Sequence, residues 1–295
     1  MNTGLKITAF AAAVAATFGT AYGVGQAVDP VVATDRGNSA QGGHDAGGEH
    51  GGHDGQAAGG GAPATGLKSS EGGYTLALDK PSVAAGVPGE IRFAVKGEDG
   101  RNVTAYRREH GKELHFIVAS RDLTEFRHLH PVRAADGTWS TPVRLPKAGA
   151  YRVFADFTPA AEGAEGHTLG TGLTVSGEAS PAPLPPVRAT AGVDGYQVAL
   201  SGALHSGRAG ELRLTVRKDG RPVTDLQPYL GAYGHLVALR SGDLAYLHVH
   251  PNDGGPGPVV SFTATAPSAG VYRLFLDFQH EGKVRTAAFT VRAAG

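Results

Sequence analysis

From Tyr74 onward the chain is a succession of short stretches in which apolar and polar residues alternate, the period expected of strands that bury one face. Such stretches cover residues 74–78, 90–95, 113–120, 126–130, 139–145, 151–157 and 168–175. Turn-forming residues separate them, as in Gly97-Glu98-Asp99-Gly100, and Pro131, which has no N–H to donate, ends the fourth. Residues 178–187 are proline-rich, a semi-stiff spacer, and then the pattern restarts. Tyr196 answers Tyr74, Val216 answers Val95, His235 answers His115 and Asp277 answers Asp156, at an offset of 120–122 residues. A constant offset in residues of different type marks a duplicated domain. The expected fold is all-β: two tandem antiparallel Ig-like β-sandwich domains, residues 74–177 and 191–295, joined by a linker over 178–190.

The first 73 residues follow other rules. Residues 7–28 carry no charge and come just after Lys6; these 22 residues are enough for a membrane-spanning helix or a cleaved signal peptide. Either places the rest of the chain outside the cytoplasm, anchored or secreted, with the N-terminal segment as the membrane contact. Residues 29–73 are rich in Gly, Ala, Ser and Asp with His44, His50 and His53 interspersed. Too few apolar groups occur there to offset the entropy of ordering, so a disordered linker is expected, its histidines either capturing metal weakly or simply part of a solvated tether.

Composition narrows the chemistry. Lys and Arg number 27, as do Asp and Glu, so no basic field invites nucleic acid. Cysteine is absent and Met1 is the only methionine, which removes thiolate and thioether ligands, disulfides and cysteine-linked haem. Any metal must be held by imidazole and oxygen.

The histidines are patterned. His128-Leu129-His130-Pro131 and His248-Val249-His250-Pro251 each follow an earlier histidine, His115 or His235, after twelve intervening residues. Each is followed by an aromatic strand bearing one carboxylate, Asp156 or Asp277. In the second copy a two-residue turn at Gly242-Asp243 would set His235 directly across from His250, with His248 on the same face about 6.6 Å along the strand. A longer turn over 121–125 can place His115 opposite His130 in the first. The expectation is one metal site per repeat: His115, His128, His130 and Asp156; His235, His248, His250 and Asp277. Each aspartate serves as fourth ligand or as the acceptor that fixes an imidazole tautomer. Imidazole with carboxylate suits copper(II), with zinc(II) the alternative. In the competing reading these histidines cap the sheets and hydrogen-bond the aspartates, making a structural or partner-binding sandwich pair without metal. His110, His167, His205 and His280 have no counterpart in the other repeat and are expected as surface or loop residues. No nucleophile motif such as G-x-S-x-G occurs, so no enzyme is expected.

The run Leu114-His115 through His128-Leu129-His130-Pro131, followed by Tyr151-Arg152-Val153-Phe154-Ala155-Asp156, resembles secreted tandem proteins of high-GC Gram-positive bacteria described as uncharacterised or heavy-metal-associated. Each repeat is also similar in organisation to extracytoplasmic sandwiches of the YtkA-like and FixH-like type. That resemblance implies copper handling, sequestration or delivery, with a membrane metal transporter or an oxidase-assembly protein as partner. The lack of a Met-rich segment departs from a Cu(I) chaperone.

Overall fold

The computed structural model describes residues 64–247 and 249–295. The expectations for the N-terminal apolar run, for His44, His50 and His53, and for His248 lie outside these residues. Among the described residues all regular structure is strand, and no helix is long and apolar enough to cross a membrane.

The first repeat contains β1 (Ser70–Glu71), β2 (Tyr74–Leu78), β3 (Ser82–Ala84), β4 (Gly89–Lys96), β5 (Leu114–Ser120), β6 (Phe126–Leu129), β7 (Val132–Arg133), β8 (Trp139–Val143), β9 (Gly149–Phe157) and β10 (His167–Ser176). They form two sheets, ordered β1-β2-β4-β8-β7 and β3-β10-β9-β5-β6. The second repeat contains β11 (Thr190–Val193), β12 (Tyr196–Gly202), β13 (Gly210–Lys218), β14 (Arg221–Pro222), β15 (His235–Arg240), β16 (Tyr246–Leu247), β17 (Val249–Pro251), β18 (Val259–Ala264), β19 (Gly270–His280) and β20 (Lys283–Ala293). Its sheets run β11-β12-β13-β18-β17 and β16-β15-β19-β20. The β-sandwich expectation holds, with one departure: β3 pairs with β10 in parallel.

Each sandwich has its own core. Phe93, Phe116, Trp139, Val153 and Leu169 fill the first; Leu214, Phe262, Tyr272, Leu274 and Phe289 fill the second. In both, a tyrosine hydroxyl donates to a carbonyl four residues earlier, Tyr151 to Lys147 and Tyr272 to Ser268, each at 2.9 Å. That contact pins the start of the strand to the loop before it.

A third core lies between the repeats. Every residue of β5 is buried or half-buried, because Leu114, Phe116 and Val118 face the first sandwich while Ile117 and Ala119 face outward. The outward set meets its counterpart, Val237 and Leu239 of β15. Phe126 stacks on Phe275 with ring centroids 4.0 Å apart and planes 6° from parallel. The equivalent residues in the opposite repeats, Tyr246 and Phe154, pack at 5.6 Å. Reciprocal contacts of this kind define an isologous, two-fold-like interface, here formed within one chain.

Order begins earlier than Tyr74. Thr65 Oγ1 donates to the Tyr246 carbonyl at 3.1 Å, Tyr246 N–H donates to the Thr65 carbonyl at 2.9 Å, and Gly66 N–H donates to Thr168 O at 2.9 Å. This segment crosses from one repeat to the other. A Cβ on Gly170 would collide with the Gly66 carbonyl oxygen, so only glycine lets the two backbones approach. The prediction of a disordered stretch up to residue 73 therefore fails over 64–73, where composition alone could not show these cross-repeat bonds.

The aromatic pairs should hold the repeats together. Phe126→Ala or Phe275→Ala is expected to cost about 3–5 kcal/mol in chemical denaturation. A double-mutant cycle on the pair should return a coupling of about 0.5–1.5 kcal/mol. Additive effects would remove the stacked contact from the account of the interface.

Candidate metal centre

The outward row of β5 and β6 continues past the apolar core into histidine. The β5–β6 ladder pairs Phe116 with Leu129, so the same register sets His115 opposite His130 one step further on. His128 lies two residues from His130 on the same strand and shares its face. The expected convergence in the first repeat is met: one ring nitrogen from each of His115, His128 and His130 lies within 4.8 Å of the other two.

The hydrogen bonds decide which nitrogens carry protons. His115 Nε2 lies 3.3 Å from the Glu109 carbonyl oxygen, which can only accept, so Nε2 is the protonated atom and Nδ1 bears the lone pair. His128 Nδ1 donates to Asp277 Oδ2 at 2.8 Å, leaving Nε2 as its lone-pair nitrogen when the ring is neutral. His115 Nδ1 and His128 Nε2 then face each other at 3.1 Å. Two lone pairs at that distance repel unless a cation lies between them. With metal–nitrogen bonds of about 2.0–2.1 Å, ligating nitrogens on a tetrahedral ion are about 3.3 Å apart, close to the observed spacing. His130 Nδ1 lies 3.3 Å from the Tyr229 hydroxyl, and its buried Nε2 has no hydrogen-bond partner among the described residues.

Asp277 comes from the other repeat. It lies on β19, directly paired with His235 of β15, and its second oxygen accepts from Thr286 Oγ1 at 2.5 Å. The His128 and Asp277 side chains are 6% and 5% exposed. The pair is the carboxylate–imidazole arrangement that orients a metal-ligating ring. Asp156 has the analogous place in the first repeat: it pairs with His115 across β5–β9, and its Oδ1 accepts from Thr168 Oγ1 at 2.9 Å.

The second repeat departs from the expected arrangement. The β15–β16 register is the predicted one, with Ala238 opposite Leu247, but the turn takes Ser241 to Leu244 rather than two residues. The ladder then stops, because the chain passes to the opposite sheet, where His250 of β17 pairs with Thr263 of β18 instead of lying across from His235. His235 itself is buried, donates from Nε2 to the Tyr229 carbonyl at 2.8 Å, and points into the same inter-repeat space as the first triad. Among the described residues, His115, His128 and His130 form the group close enough to hold an ion; the site expected in the second repeat includes His248, which lies outside those residues.

The unpaired histidines vary in outcome. His110, expected as a surface or loop residue, is exposed on a turn, and its ring lies 5.4 Å from that of His235 and 6.2 Å from that of His115. Its exposure and its place on a turn agree with the sequence reading; its nearness to the other imidazoles is what that reading did not foresee. His280 is buried rather than on the surface, held by the Tyr196 hydroxyl at 2.7 Å and by Asp225 at 3.1 Å, with the Tyr196 ring packed against it. His167 packs on Tyr74 and Phe157, and His205 lies beside Arg208.

Burial sets the electrostatics. Desolvation, reinforced by the neighbouring His128, pushes His115 and His130 down to about 3. Desolvation also lowers His235 to about 4, against the opposing bond to the Tyr229 carbonyl. Neutral imidazoles are the form that binds metal.

The chain is a tandem β-sandwich protein with an imidazole cluster assembled between its repeats. It belongs to the family described as Domain of unknown function (DUF8832), whose model matches residues 68–175 and 191–295. A search of curated proteins gives no match. Solved structures similar to it include a DUF4426 family protein from Pseudomonas aeruginosa PAO1, 9% identical, covering 35% of this chain and 94% of that one with a TM-score of 0.28. The Escherichia coli adhesin FdeC is 18% identical, with 77% of this chain and 65% of that one covered and a TM-score of 0.25. Domains 5–6 of the S-layer protein SbsC are 11% identical, with 75% and 98% covered and a TM-score of 0.23.

The depressed histidines make the metal-free protein acid-labile. Unfolded, they protonate near pH 6.5; folded, His115, His130 and His235 protonate near 3–4. Their contribution is fully present above about pH 6.5 and is lost as pH falls from there towards 3–4, by at most about 1.4 kcal/mol per pH unit for each group. Melting of chelator-treated protein between pH 7.5 and 4.5 should show a steady fall in Tm below 6.5; a flat profile would contradict the burial assigned to these rings.

Proposed function

We propose that this protein is an extracytoplasmic metal-binding protein that holds one divalent transition-metal ion between its repeats, for sequestration or delivery. His115, His128 and His130 are the ligands, and Asp277 fixes the tautomer of His128. Copper(II) is the preferred ion on ligand type together with the resemblance to copper-handling sandwiches, and zinc(II) is its alternative. The uncharged run over residues 7–28 supports export or membrane anchoring, and the histidines at 44, 50 and 53 would raise the local metal concentration. Delivery would be to a membrane transporter or an oxidase-assembly protein.

One observation carries this reading: His115 Nδ1 and His128 Nε2 face each other at 3.1 Å while their other nitrogens are engaged by acceptors. The rival reading, a metal-free structural or partner-binding pair, is favoured by the buried His128–Asp277 bond, which would join the repeats by itself.

Titration of the full chain with Cu(II) and Zn(II), in a background where His44, His50 and His53 are replaced by Asn, separates the two. The expected result is tight binding of about one equivalent, with nitrogen hyperfine structure in the copper EPR spectrum. His115→Ala and His128→Ala should abolish that signal, and Asp277→Asn should weaken affinity about 10–100-fold. Absence of binding above background, or variants that lose stability with no change in metal capacity, would decide for the structural pair.

A further inference from the structure

The five imidazoles of the inter-repeat space fall into two sets. On one ion, with metal–nitrogen bonds of about 2.0–2.1 Å and angles of about 90–120°, two imidazoles have ring centroids about 4.5–5.5 Å apart. The three pairs among His115, His128 and His130 lie at 5.3, 5.5 and 4.8 Å, within that window. His110 and His235 also qualify, at 5.4 Å. The links between the sets are longer: His110–His115 at 6.2 Å, and His235 to His115 and to His128 at 6.3 Å each. We propose that His110 and His235 form a second, outer position for a divalent transition-metal ion, through which the ion passes between solvent and the inner triad. This rests on the metal-binding reading above.

The cavities place the outer pair on a path. A cleft of about 710 Å³ opens on the second repeat, lined by Tyr233, Pro251 and Asp253 among others, and His110 stands at its wall. A narrower space of about 50 Å³ lies over His115, His128 and His235. His110 and Pro251 are the residues that line both, so they form the neck between them. The charged side chains of the cleft are Glu211, Arg213 and Asp253, an excess of carboxylate that favours entry of a cation.

The chemistry of the pair fits temporary residence. His235 donates a hydrogen bond from Nε2–H to the Tyr229 carbonyl, so Nδ1 is its lone-pair nitrogen. His110 is exposed and stands on a tight turn with φ of 50°, in the left-handed region. Two imidazoles, one of them exposed, hold an ion less firmly than three enclosed ones. Movement inward exchanges nitrogen ligands on an ion of constant charge, and requires neither an electron nor a proton.

The second repeat supplies the control. The residue equivalent to His110 is Leu230, at φ 54° and likewise followed by glycine, so this backbone conformation accepts leucine. His110→Leu should therefore fold. Stopped-flow mixing of the full chain with Cu(II), again with His44, His50 and His53 replaced by Asn, measures entry; mixing the loaded protein with excess EDTA measures release. An outer position predicts that both rates fall together, by about tenfold, the lower end of what local concentration adds to an on-rate. Wild-type rates in His110→Leu would overturn the proposal, as would faster release with weakened affinity, which would make His110 a ligand of the inner site. If equilibrium titration shows that the parent protein binds no copper, the metal reading itself has failed and the outer position falls with it.

Discussion

The hydrogen bond from His128 to Asp277 is the contact on which the rest of this arrangement turns. It crosses from one repeat to the other, it fixes which nitrogen of His128 carries the proton, and it joins a carboxylate that is only 5% exposed to a donor. Its position follows from strand geometry. Phe126 and His128 are two residues apart on β6, and Phe275 and Asp277 are two apart on β19, so each pair projects from one face. Phe126 stacks on Phe275, and one row further along the same two strands His128 meets Asp277. The apolar row excludes water and sets the distance between the sheets. The polar row uses that distance. A carboxylate at this depth would be costly alone, but the imidazole N–H and the Thr286 hydroxyl occupy both its oxygens.

Duplication supplied the frame, and divergence made the two halves unequal. The isologous contact needs the same surface on both partners, which a duplicated domain provides without further change. The ring at the Tyr246–Phe154 contact and the ring at Phe126–Phe275 are the same positions exchanged. Around the histidines the copies differ. Glu109 corresponds to Tyr229, and both lend a backbone carbonyl to a histidine, but only Tyr229 adds a hydroxyl beside His130. His110 corresponds to Leu230 on the same turn. At these positions the repeats share a backbone scaffold but carry different side chains on it.

Much of this is legible in the sequence, for identifiable reasons. Period-2 alternation locates the strands of both sandwiches, and the spacing from His115 to His130 implies the hairpin register that brings them opposite one another. The meeting of the two repeats leaves a fainter sign: Leu114 to Ser120 lacks polar alternation, as a strand buried on both faces must. Such a run shows that something covers the outer face without naming the cover, so sequence pattern groups Asp277 with the histidines of its own repeat. The turn of the second hairpin misleads for a related reason. Its register is as expected, but a switch of the chain from one sheet to the other leaves no mark in the residues around His250. His110 escapes notice because it has no counterpart, and internal repetition cannot reveal what one copy alone possesses.

The metal-free reading can be carried some distance before it meets an obstacle. A proton added to His128 would give an imidazolium donating to Asp277 from one nitrogen and to His115 Nδ1 from the other, which relieves the opposed lone pairs as an ion would. Proton-filled and metal-filled centres would then share one geometry, and acid would compete with metal for the same gap. His130 separates them. Its buried Nε2 has no hydrogen-bond partner among the described residues, and a proton between His115 and His128 does nothing for it, leaving a desolvation cost of about 1–3 kcal/mol uncompensated. A cation bound by that Nε2 together with the two facing nitrogens would remove the cost and the repulsion at once. His130 reaches the other repeat through Nδ1, beside the Tyr229 hydroxyl, so it is the orphaned Nε2 of the third histidine that a structural account leaves without a role.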